Sequence, residues 1–87
     1  MHERALMRDV MSRIEELARV ERATRVTRVD VQLGALTQFT PDHFREHFED
    51  ASRGTVAEGA LVVATLAGDV TGAHASDVLV ASVEVEV

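Results

Sequence analysis

Eighty-seven residues allow one compact core, since a chain of this size buries only about 60 to 65% of its unfolded surface. The apolar residues are mostly Val (14) and Ala (12), with three Phe and no Trp, Tyr, Cys or Lys. That palette excludes disulfide frameworks, thiolate metal sites, thiol nucleophiles, Schiff-base lysines and P-loop chemistry. The net charge of −6 argues against a nucleic-acid partner, and it is unevenly placed: nine Arg against ten acids in residues 1–53, no base and five acids in 54–87.

Over residues 3–22 the apolar positions Leu6, Val10, Ile14, Leu17 and Ala18, flanked by Met7 and Met11, recur at spacings of three and four. This pattern predicts an amphipathic helix, roughly 30 Å long, with Asp9/Arg13 and Glu15/Arg19 as pairs on its wet face. From Arg25 the period changes to two. Thr27, Val29, Val31 and Leu33 alternate with Arg28, Asp30 and Gln32, a strand with one buried face, ended by Gly34. A second helix is expected from Thr40 as N-cap and Pro41 at its first position, with Phe39 and Phe44 as a staple across the cap. Phe44, Phe48 and Ala51 form its stripe, and Gly54 stands where a left-handed C-terminal cap belongs.

The run Ala60 to Ala67 reads as a strand buried on both faces, and Val78 to Val87 as a third strand. Between them 68–77 is a loop of two Gly, two Asp, Ser and Thr, short enough to join its flanking strands as a hairpin. The expected fold is a two-layer α+β domain, α-β-α-β-β, with a three-stranded sheet covered by two helices and spanning residues 1–87 as one unit. No segment is apolar and long enough to span a membrane, and the start carries Glu3, Asp9, Glu15 and Glu16 where a secretory signal needs an apolar stretch; the expected location is cytoplasmic.

Three groups of residues could carry chemistry. The first is the start itself: the α-amine of Met1, the backbone nitrogens of His2 and Glu3 and the His2 imidazole can converge on one ion. Four nitrogens in a plane suit Ni(II) or Cu(II) rather than tetrahedral Zn(II). A helix start assists, because its first four N–H groups have no intrahelical acceptor. Methionine is expected to be retained ahead of a residue as bulky as histidine. The bland alternative is a frayed polar terminus. The second is His43 and His47, four apart on the second helix with Glu46 between them, a spacing at which two imidazoles share a metal; no third ligand is evident nearby, so they are secondary metal candidates beside the reading of residues flanking the Phe stripe. The third is His74 with Asp69, Ser76 and Asp77, which lacks the buried carboxylate and oxyanion hole a hydrolytic triad needs and reads as loop polarity. No catalytic residue is assigned, and no enzyme is expected.

Several pieces then stand in order: Met1-His2-Glu3; the run Arg25-Val-Thr-Arg-Val-Asp-Val-Gln-Leu-Gly-Ala-Leu36; Gly54-Thr-Val-Ala-Glu-Gly-Ala60; and a closing Val83-Glu-Val-Glu-Val. Together they resemble the HypA-type nickel metallochaperones that serve maturation of NiFe hydrogenase and, in some organisms, urease. The resemblance implies transient Ni(II) binding at Met1, His2 and Glu3. It also implies a HypB-type GTPase and the hydrogenase large subunit as partners. Family members usually carry a zinc domain with two Cys-x-x-Cys pairs between the second and third strands. Here loop 68–77 stands in that place without cysteine, so no zinc site is expected. A reading of another class is a metal-free adaptor that keeps the scaffold and docks to a maturation GTPase or hydrogenase subunit through the first helix, with Arg4 and Arg8 toward the partner.

Overall fold

The computed structural model describes residues 2–37, 39–67 and 77–87, with His2 described in its backbone only. Helix α1 (His2–Val20) is followed by β1 (Arg25–Leu33), a short 3-10 turn at Ala35–Thr37, α2 (Pro41–Ser52), β2 (Leu61–Leu66) and β3 (Val78–Glu86). The expected α-β-α-β-β order and two-layer architecture hold. The stretch 68–76, with His74 and Ser76, lies outside the described residues, as do Met1 and Gln38.

The strand order is β2-β1-β3. β1 is central because it is the most apolar strand on its inner face: Val26, Val29, Val31 and Leu33 are each buried to within 1% of full exclusion. It runs parallel to β2, with Val29 opposite Val62 and Val31 opposite Ala64, and antiparallel to β3, with Val29 opposite Val83 and Asp30 opposite Ser82. The parallel pairing is the geometry that a crossover helix produces, and α2 is that crossover. The hairpin expected between β2 and β3 does not form, because the two strands occupy opposite edges of the sheet.

Two irregularities in the β1–β3 ladder correct the simple period-two reading. A shift between Val26 and Arg28 puts Val26 in the core and leaves Thr27 half-buried, its hydroxyl donating to the Glu84 carbonyl at 3.2 Å. A second shift between Asp30 and Val31 changes the parity of β3, so that Val78 and Val80 before it and Val83 and Val85 after it all pack against the core. β2 is an edge strand. Only Val62 and Ala64 are buried while Leu61 and Leu66 are about 60% exposed, so the apolar run was not a strand covered on both sides.

Both helices lie against the sheet, α1 touching β3 and α2 touching β2, and they touch each other. Met7, Val10, Met11, Ile14 and Ala18 of α1 are buried, and Leu17, expected inside, is 41% exposed. Arg19 pairs with Glu16 rather than with Glu15. In α2 the buried positions are Phe44, Phe48 and Ser52; Ala51 faces solvent, and the Ser52 hydroxyl donates to the Glu49 carbonyl at 3.2 Å. After the helix Gly54 takes φ +77°, the left-handed conformation that ends it.

Candidate metal centre

The site begins with the N-terminal cap of α2. The Thr40 hydroxyl accepts from the His43 backbone N–H at 3.1 Å, and Pro41 supplies a first-turn position that needs no acceptor. Phe39 packs edge-on to Phe44, with centroids 5.5 Å apart and planes at 85°, which is the staple expected across this cap. The segment before it is fixed by Thr37, whose buried hydroxyl donates to the Gly34 carbonyl at 2.8 Å.

This start sets the register of the helix and hence the facing of His43 and His47. One turn apart, they lie on the same side, with ring centroids 4.5 Å apart and Nε2 atoms 2.8 Å apart. The Phe39 ring stands edge-on to both, at 5.7 Å from His43 and 6.1 Å from His47. One buried aromatic thus buttresses the cap and both imidazoles.

The third donor comes from the other helix. Oε1 of Glu3, in the first turn of α1, lies 3.6 Å from His43 Nε2 and 3.4 Å from His47 Nε2. The three side chains are 38 to 41% exposed, so water and ions reach them. Glu3 also sits at the positive end of the α1 dipole, where a carboxylate is favoured. Among the described residues Glu3, His43 and His47 are the group of His and acidic side chains close enough to share a metal ion. The secondary candidates therefore acquire the third ligand that was not evident in the sequence, and it belongs to the primary candidate motif. The Met1 amine and the His2 imidazole lie outside the described residues, and the structure describes His2 only as the first residue of α1.

A different polar network occupies the outer face of the sheet. Arg28 grips Asp30 through Nε and Nη2 at 2.9 to 3.3 Å, and the Ser82 hydroxyl donates to the same carboxylate at 2.7 Å across the β1–β3 ladder. The Arg28 hydrogen bonds, and then the Ser82 hydroxyl, hold the Asp30 carboxyl below its usual range. Asp30 in turn raises the Arg28 guanidinium. These groups tie strands together and present no metal-binding donor set.

The comparisons with known proteins define the class. A solved structure, the solution structure of the nickel metallochaperone HypA from Helicobacter pylori, superposes with a TM-score of 0.77, covering 99% of this chain and 98% of that one at 16% identity, which establishes a common fold. Residues 1–78 match the family described as hydrogenase/urease nickel incorporation, metallochaperone, HypA. The hydrogenase maturation factors HypA of Acidithiobacillus ferrooxidans and Chlorobium limicola are 37% and 38% identical over 60 residues, 69% of this chain and 53% and 52% of theirs. That of Rhizobium leguminosarum bv. viciae is 39% identical over 70 residues, 79% of this chain and 62% of its own. The chain belongs to the HypA family, as the resemblance in its sequence implied. It spans about half the length of these first two curated relatives.

Proposed function

We propose that this chain is a nickel-binding accessory protein that assists nickel insertion during maturation of NiFe hydrogenase, with nickel as its cargo. The ion is held by the Met1 amine, the backbone nitrogens of His2 and Glu3, and the His2 imidazole. The observation that carries this reading is that His2 and Glu3, which follow Met1 in sequence, open the first turn of α1 in a chain matched to the HypA family from residue 1. Amides in a first helical turn have no intrahelical acceptor, so replacing their protons by a metal leaves the helix ladder intact. The planar four-nitrogen set suits Ni(II).

The rest of the reading follows the family. Its partners are a HypB-type GTPase and the hydrogenase large subunit, its place is the cytoplasm, and it handles nickel as one domain without catalysing a reaction. No described helix is long and apolar enough to cross a membrane. The sequence has no cysteine for a thiolate zinc site, and the reading includes none. The clustering of Glu3 with two imidazoles favours metal handling over the metal-free adaptor.

Equilibrium dialysis against Ni(II) tests it. Untagged protein is expected to bind nickel at least tenfold more tightly than His2→Ala or a form acetylated at the Met1 amine, which no longer offers that nitrogen. Equal binding by all three would rule out the terminal site.

A further inference from the structure

Two imidazoles and a carboxylate from different helices converge at the α1–α2 contact, and the terminal nickel site does not use these side-chain atoms. The distances between the three donors are 2.8, 3.4 and 3.6 Å. The circle through them has a radius of about 1.9 Å, slightly less than the roughly 2.0–2.2 Å at which imidazole nitrogen and carboxylate oxygen bind zinc-class ions. An ion about 0.9 Å out of their plane therefore meets all three at bonding distance, with its other side open to water. No backbone movement is required.

We propose that Glu3 Oε1, His43 Nε2 and His47 Nε2 form a second site for a divalent first-row transition-metal ion, separate from the terminal nitrogens and open to nickel and zinc. Imidazole selects this class of ion over calcium or magnesium, which take oxygen donors. In the metal-free protein the two Nε2 atoms already face each other at 2.8 Å, and binding moves the Nε2 proton of the donating ring to its Nδ1, which leaves both Nε2 lone pairs to the ion. The edge-on Phe39 ring restricts both imidazoles, which lowers the ordering cost of binding. The exposure of all three ligands makes the site one that exchanges its ion readily. Glu3 gives this site its carboxylate and the proposed terminal site its backbone nitrogen.

The geometry of the second site stands without the terminal reading, and the experiment separates them. The full chain acetylated at its Met1 amine lacks the terminal site and is titrated with Ni(II) and with Zn(II) alone. One ion per chain is expected, and Glu3→Gln, His43→Ala and His47→Ala are each expected to weaken its binding at least tenfold. In the acetylated but otherwise unchanged chain, Zn(II) is expected to shift the Nε2 resonances of His43 and His47 in nitrogen NMR, a readout that needs no side-chain variant to fold. Absence of binding, binding unaltered in folded variants, or Zn(II) shifts confined to other histidines would overturn the proposal. If the native chain binds no more nickel than the acetylated one while these shifts persist, the terminal reading fails and the second site stands.

Discussion

Glu3 in the first turn of α1 and His47 in α2 meet at 3.4 Å, although 44 positions separate them in the chain. The contact exists because α1 crosses the sheet beside α2 and brings its first turn to the middle of the second helix. Phe39 supports the α2 side of that meeting. Phe39→Leu is expected to cost about 1–2 kcal/mol of stability and to leave the chain folded, while the nuclear Overhauser contacts between the His43 and His47 rings weaken. Ring contacts as strong as those of the parent would show that the histidines are held by something else.

The cap of α2 is a separable contribution. Thr40→Ala removes the acceptor for the His43 N–H and should lower stability by about 1 kcal/mol in denaturant unfolding, with Thr40→Ser restoring most of it. A loss no smaller in the Ser variant would show that the hydroxyl is not what matters.

The Gly54 position isolates backbone conformation from packing. A Cβ there would meet nothing within 4 Å, yet φ is +77°. Gly54→Ala is therefore expected to cost about 1–2 kcal/mol through the left-handed conformation alone, and Gly54→Asn less than Ala, as measured by thermal melting.

Acid should loosen the sheet through Asp30. Its carboxyl titrates lower in the folded protein than in the unfolded chain, because Arg28 and Ser82 bond the ionised form. The stability it contributes is thus present above the unfolded carboxyl value and is lost as pH falls through the lowered folded one. Below about pH 4 the melting temperature of the parent should fall more steeply than that of Asp30→Asn. Parallel profiles would mean that the Arg28–Asp30–Ser82 network does not couple folding to protons.

What the sequence showed and what it hid divide along the range of the interactions. The start of α2 was legible because Phe39, Thr40, Pro41 and Phe44 act on one another within six residues. The alternation of Val29, Val31 and Leu33 likewise marked the buried face of β1. The placement of β2 was not legible, since an apolar run such as 60–67 suits an edge strand lying under a helix as well as a covered central strand. The two ladder shifts that bring Val26 and Val80 inward depend on pairing between β1 and β3, which leaves no local trace. The metal centre divides in the same way: His43 and His47 announced themselves by their spacing, and Glu3 by the Met-His-Glu start. Nothing local indicated that helix docking would join them.

The terminal nickel site is tested most directly by counting the protons released per nickel ion bound at pH 8 in a pH-stat titration of untagged protein. Ligation by two backbone amides requires both to lose their protons, so about two or more protons per ion are expected, falling below one when the Met1 amine is acetylated. Release of fewer than one proton per ion by the untagged protein would contradict amide ligation and with it the proposed nickel site.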